Sequence, residues 1–229
     1  VLGEDQEVYM MQIAAVLDLL GYKAPELICY SYVLLNGDKM STSEGTVVLV
    51  TDFMKAVKET LLKEFESRNT TVSEDKLNIL INACIKFTML NVSKNKIVNF
   101  NLKNATSFTG ESGMYILYSV ARINSILKNN QMELTKEVKF TNEIENRIVK
   151  ELSMFPEIID NLLKSNEPNQ LTKYIFNLAG LFSKFYEQVN ISNEQDPVLK
   201  SSRLKLLMSI TRVITNGLKV LGIDTVDQL

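Results

Sequence analysis

Apolar residues recur at helical spacing from the start of the chain. Val8, Met11, Ala15, Val16 and Leu19 fall on one side of a period near 3.6 and Gly21 stops the run, so a helix is predicted over Glu4 to Leu20. Past Pro25 the pattern changes. Leu27 to Leu35 is dense in apolar, β-branched and aromatic residues, which predicts a strand, and Asn36-Gly37 supplies a tight turn after it. Lys39 to Gly45 is small and polar, Thr46 to Val50 reads as another short strand, and Thr51 is placed to cap a helix reaching Ser67.

Beyond Ser67 the chain reads as helices. Thr71-Val72-Ser73-Glu74 has the form of a capping box before a helix over Lys76 to Leu90. An extended stretch, Ile97 to Phe100, and a glycine turn over Thr109 to Gly113 precede a helix from Met114 to Leu127. Asn142-Glu143-Ile144-Glu145 is a second box, opening a helix that ends at Phe155-Pro156. Pro156, Pro168 and Pro197 sit where a first-turn proline fits, since its missing N–H would have no partner there. Leu171, Tyr174, Ile175, Leu178, Phe182, Phe185, Tyr186 and Val189 form one apolar stripe. Leu204, Leu207, Met208, Thr211, Ile214, Leu218 and Leu221 form another, stopped by Gly222, and a loop from Asn190 to Asp196 joins the two. The pattern predicts a mainly α chain: a mixed α/β opening, then a bundle of five or more helices.

Composition narrows the chemistry. A chain of 229 residues with 45% hydrophobic content can bury a substantial core. With 23% charged residues and a net charge of −2 it carries none of the basic excess that phosphate binding usually advertises, so a nucleic-acid partner must be argued from motifs. The absence of any histidine excludes Ser-His-Asp and Cys-His catalysis within these residues and removes the commonest metal ligand. Cys29 and Cys84 are too far apart for a redox pair or zinc ribbon and read as buried thiols in a reducing, cytoplasmic setting. No apolar run is long enough to span a bilayer. Val1 begins within an apolar stretch, so the chain reads as a piece of something longer.

Two segments carry candidate chemistry. Lys39-Met40-Ser41-Thr42-Ser43 lies between Gly37 and Gly45. A lysine on a flexible loop can stabilise charge developing on a leaving pyrophosphate, and small hydroxyl and glycine residues let the loop close on ATP. Lys39 is the candidate for the charge and Ser41 for a supporting donor; the plain alternative is a solvated turn between strands. In the second segment, Phe108 to Ile123, Tyr115, Tyr118 and Arg122 lie at spacings of three and four along one helix, so they share a face. Aromatic faces stack unpaired bases and a guanidinium pairs with phosphate or base edges, as reading a single-stranded loop requires. The alternative is that both tyrosines pack in the core while Arg122 reaches out to water.

The first segment resembles the KMSKS loop of class I aminoacyl-tRNA synthetases, and the second resembles the opening of the anticodon-binding domain of arginyl-tRNA synthetases. Leu2-Gly3-Glu4-Asp5-Gln6, Gln12 and Leu19 to Tyr22 are similar to the segment that family carries before its signature loop. There a glutamine matching Gln6 helps hold the substrate arginine. Gly217 to Ile223 resembles the family's closing helix, and Phe155-Pro156 and Lys184-Phe185-Tyr186 also look like the family. The matches run in order along nearly the whole chain. They imply the C-terminal remnant of a Rossmann-like catalytic domain over 1–104, with stem-contact helices, and an all-helical anticodon-binding domain over 105–229. They also imply ATP with its magnesium, arginine, tRNA-Arg and a monomer, in an arginine–tRNA ligase.

Departures from the family are as informative. Thr42 replaces a lysine, and Ser43-Glu44 replaces basic residues, so Glu44 is expected to point away from a triphosphate. Met114, Leu117 and Val120 stand where the family has proline, glutamine and histidine, and Val226 to Leu229 replaces its usual ending. The family's histidine-bearing ATP signature and the tyrosine and aspartate of its arginine pocket are absent, so these residues alone are expected to bind tRNA without turnover. A non-catalytic tRNA-binding or protein-interaction module is the alternative, and a cysteinyl or methionyl enzyme a further one.

Overall fold

The computed structural model describes residues 1–35 and 49–227, together with the backbone of 38–39. The opening is a β-α-β unit. Strand β1 (Leu2–Gly3) runs parallel to β2 (Cys29–Tyr30), and a 3-10 turn over Glu4–Gln6 leads between them into helix α1 (Glu7–Leu19). Gly21, at φ +77°, closes that helix in a left-handed conformation that a side chain would resist. No residue of α1 is buried; Val8, Met11, Val16 and Leu19 of its predicted apolar face are each more than half exposed.

The single strand expected over Leu27 to Leu35 is divided, because its two ends pair with different neighbours. Ser31 donates its backbone N–H to Lys94, and β3 (Val33–Leu35) then pairs in parallel with β5 (Val98–Phe100) and antiparallel with β4 (Asp38–Lys39). Asn36-Gly37 and Met40 to Val48 lie outside the described residues. The strand expected to end at Val50 is corrected: Val50 opens helix α2 (Val50–Ser67), and Leu49 rather than Thr51 occupies the cap. Packing decides this. Phe53 stands edge-on to Phe100 at 4.4 Å, and Val57, Leu61 and Phe65 continue the buried stripe along the same helix.

Helix α3 (Glu74–Leu90) is capped at Ser73 instead of Thr71 and starts earlier than predicted. Glu74 does not fold back on the helix end; it is drawn across to Lys58 of α2 at 2.6 Å. After α4 (Leu102–Ala105), the turn around Gly110 delivers Ser112 as a true cap. Its hydroxyl accepts from the N–H of Tyr115 and donates to the carbonyl of Ser107, opening α5 (Gly113–Asn129). The remaining helices follow the proline and capping signals: α6 (Glu143–Ser153), α7 (Phe155–Ser165), α8 (Pro168–Gln188) and α9 (Pro197–Val220), with Pro156, Pro168 and Pro197 in the first turns.

Helices α2 and α3 share one core with the bundle, and Val33 and Leu35 of β3 pack against it. Its buried side chains run from Val57 and Leu61 on α2 through Leu80 and Phe87 on α3 to Ile210 and Ile214 on α9. Helix α3 lies so close to α5 that a Cβ on Gly113 would sit 2.4 Å from the backbone oxygen of Ala83. At the other end, Glu145 is fully buried. One of its oxygens accepts from the N–H groups of Thr141 and Asn142, and the other accepts from Arg203 at 2.6 Å. Arg203 reaches Glu194 as well, at 2.5 Å. Two stripe residues depart from expectation: Tyr186 and Met208 fall at the edges of their stripes and are exposed.

Asp196 caps α9 by accepting from Val198 and Leu199 and pairs with Lys139 at 2.7 Å. The Lys139 hydrogen bond, helped by the N–H of Leu199, holds the Asp196 carboxyl below the usual carboxylate range. A group depressed on folding stabilises the protein above its unfolded pKa, about 3.9 for Asp, and loses that contribution as pH falls through the folded value. Asp196→Asn is therefore expected to flatten the acid side of a melting-temperature profile below about pH 4. An unchanged acid limb would count against this role. Among the described residues, no helix is long and apolar enough to cross a membrane.

Candidate nucleic-acid interface

Helix α5 buries Met114, Leu117, Val120 and Ala121 and turns Tyr118 and Arg122 outward, one helical turn apart. The Tyr118 ring stands edge-on to Phe108 at 5.8 Å. The guanidinium of Arg122 lies 5.9 Å from the Tyr118 ring centre and 3.7 Å from that of Tyr186 on α8, whose ring leans on Phe182. That short distance is cation–π contact, so Arg122 is held as a flat platform rather than a loose charge.

Beside this platform opens a groove of about 610 Å³ between the C-terminal half of α5 and the end of α8 with the loop after it. Ile126 and Phe185 give it an apolar base, and Asn129, Asn130, Asn190 and Asn193 line it with amides. Asn130 donates to the Ile126 carbonyl and Asn190 accepts from the N–H of Asn193, which fixes part of the rim. An amide offers donors and an acceptor side by side, the pattern that base edges present, and the adjoining ring and guanidinium offer faces for stacking. The arrangement suits an unpaired base better than a duplex.

Of the residues singled out in the sequence, the structure brings Tyr118 and Arg122 together. It places Tyr115 differently: half-buried, its ring is 5.6 Å from Phe176 and its hydroxyl is 2.9 Å from that of Ser183, so α8 occupies it. Gln6 is exposed at the end of the 3-10 turn, just past the carboxyl end of parallel strand β1, where ligands of open α/β sheets bind. The backbone of Lys39 pairs with Leu34 in β4; its side chain, and Met40, Ser41, Thr42 and Ser43, lie outside the described residues. Tyr186 and the amide rim were missed as site residues. The available signal was the clustering of asparagines at Asn129-Asn130 and again from Asn190 to Asn193.

Other reactive groups do not compete with this groove. Burial pushes the Cys84 thiol well up, which leaves it an inert core residue. Burial likewise raises the Tyr174 hydroxyl, which donates to the Glu151 carbonyl. Among the described residues, no cluster of acidic, cysteine or histidine side chains could hold a metal ion.

Residues 116–229, which carry Tyr118, Arg122, Tyr186 and the groove, match the model of the DALR anticodon binding domain. The whole chain aligns with the arginine–tRNA ligase of Clostridium beijerinckii at 34% identity, covering 42% of that protein. It aligns with that of Sulfolobus acidocaldarius at 30%, covering 38%. The chain belongs to the arginyl-tRNA synthetase family. It spans about two-fifths of the length of the curated relatives it matches, in their C-terminal part. Two solved members of the family share its fold. The Thermus thermophilus arginyl-tRNA synthetase superposes with a TM-score of 0.90 at 23% identity, over all of this chain and 40% of that one. The Plasmodium falciparum arginyl-tRNA synthetase does so with a TM-score of 0.79 at 21% identity, over 99% of this chain and 40% of that one. The arginyl-tRNA synthetase fold here is thus mainly helical, with a few short strands at its opening.

Proposed function

We propose that this chain supplies the tRNA-reading end, and part of the ATP-side machinery, of an arginine–tRNA ligase. The observation that carries the reading is the Arg122 guanidinium held 3.7 Å above Tyr186 at the mouth of an amide-lined groove, inside the segment that matches the anticodon-binding model. In this reading unpaired anticodon bases stack on Arg122, Tyr118 and Tyr186, and Asn129, Asn130, Asn190 and Asn193 read their edges. Tyr115 serves as a support, fixing α5 against α8 through Ser183. In this reading residues 105–229 would form the anticodon-binding part and 1–104 the end of the catalytic domain, with α2 and α3 of the latter packed into the core of the former.

Toward ATP, the donor set of Lys39, Ser41, Thr42 and Ser43, one cation among hydroxyls, fits phosphate oxygens. When bound, ATP with its magnesium supplies the activated phosphate that an arginine carboxylate attacks. Lys39 would meet charge gathering on the leaving pyrophosphate, Ser41 would support it with a hydroxyl, and Gln6 would hold the arginine side chain. The histidine signature of the family is absent from these residues, so binding without aminoacylation is expected of them alone.

Gel shift with arginine tRNA, intact or with a scrambled anticodon loop, tests the reading. Arg122→Ala and Tyr186→Ala are each expected to weaken binding by about tenfold or more, since a stacked base contributes ~1–3 kcal/mol. Equal affinity of the unmodified chain for the two RNAs would instead favour a general helical scaffold.

A further inference from the structure

The platform at Arg122 is one end of a longer strip. From Tyr186 the chain of ring and cation contacts passes through Arg122 to Tyr118 and Phe108 and ends on Arg68, whose guanidinium lies 4.0 Å above the Phe108 ring. Phe108 is itself wedged edge-on against Phe65 of α2 at 5.8 Å. Arg68 follows the last residue of α2 and is half exposed. Three segments distant in sequence (the end of α2, the glycine turn and the α5–α8 face) are thereby joined by one run of contacts in which two rings, Tyr118 and Phe108, separate the guanidiniums of Arg122 and Arg68. We infer that Arg68 is a second RNA contact, gripping a backbone phosphate of the anticodon stem as the strand leaves the loop-reading groove. The inference rests on the anticodon reading above.

The chemistry favours a phosphate over a base at this end. Phe108 is buried beneath the guanidinium, so no open ring face is offered for stacking there. A guanidinium carries five donors in a planar fork. Among the described residues, Arg68 spends two on one oxygen of Glu64, from Nε at 3.0 Å and Nη2 at 2.9 Å. Both partners of that pair are more than two-fifths exposed, and an exposed pair one helical turn apart contributes little. A phosphate can therefore compete for the fork cheaply, while Phe108 and Glu64 keep it from sampling other orientations in the meantime. Arg68 acts here as a positional contact, carrying no base preference of its own.

The test uses this chain with two RNA probes: the anticodon arm of arginine tRNA, stem and loop together, and its loop alone as a single-stranded oligonucleotide. Arg68→Gln is expected to weaken binding of the arm about tenfold, the scale of a lost charge-assisted contact. It should also lower the slope of log affinity against log salt by about one, while leaving the loop oligonucleotide unaffected. Glu64→Gln, which releases the fork, is expected to tighten the arm and leave the loop unaffected. If Arg122→Ala weakens both probes while Arg68→Gln and Glu64→Gln alter neither, the stem contact is overturned and the loop reading stands. If Arg122→Ala also leaves both probes unchanged, the loop reading fails with it. Equal weakening of arm and loop by Arg68→Gln would overturn the stem assignment, because the contact would then belong to the loop.

Discussion

Arg203→Ala is expected to cost this protein about 3–5 kcal/mol of stability, a large share of the ~5–15 kcal/mol that holds a typical domain together. The reason lies in what remains after the change. Glu145 is wholly buried, with one oxygen committed to the N–H groups that open α6 and the other to Arg203. Removing the guanidinium strands a carboxylate away from water and also releases Glu194 of the loop before α9. A urea midpoint well below that of the unmodified protein, with its slope unchanged, is the expected result. Pairing the change with a neutral partner separates stranded charge from lost packing: Arg203→Met with Glu145→Gln should recover much of the loss. A single alanine variant with an unshifted midpoint would mean the triad carries little.

Gly113→Ala is expected to destabilise by about 2–3 kcal/mol, although alanine normally favours a helix over glycine. The new methyl would meet backbone, not a side chain: the Ala83 oxygen at 2.4 Å and its carbonyl carbon at 2.7 Å. Backbone in the middle of α3 cannot swing aside, so α3 and α5 must separate and their shared apolar contacts thin out. Gly217→Ala provides the contrast. There the nearest atom is the end of the Ile175 side chain at 2.8 Å, which can adopt another rotamer, and the cost should stay within about 1 kcal/mol. Thermal melts of the two variants side by side decide it; similar losses at both sites would remove the close approach as an explanation.

The later helices were legible because their signals are local. Asn142 and Glu145, the three first-turn prolines and Gly222 each mark an end, and stripes such as Leu171, Ile175, Leu178 and Phe182 lie within one helix. The opening was less so. Strands of two or three residues carry little periodicity, and whether Cys29 or Val33 pairs with Leu2 or Val98 depends on partners many residues away. Val50 shows the same limit: its β-branched neighbourhood suggests a strand, but burial of Val57, Leu61 and Phe65 recruits it to a helix. For the candidate site, Tyr118 and Arg122 could be found from spacing, whereas Tyr186 sat within an apolar stripe that gave no hint of its exposure. The Arg68–Phe108 contact joins α2 to the glycine turn and had no signature in sequence at all.

Helix α2, with 18 residues, is about 27 Å long, at 1.5 Å for each residue. One end follows the segment Lys39 to Ser43 in the chain, and the other sets Arg68 over Phe108. Such a rod neither stretches nor idles: adding a single residue inside it would swing everything beyond by roughly 100° and carry the guanidinium off Phe108. The helix thus acts as a gauge in both length and phase, so insertions that surface loops absorb freely would throw the two ends of the molecule out of step.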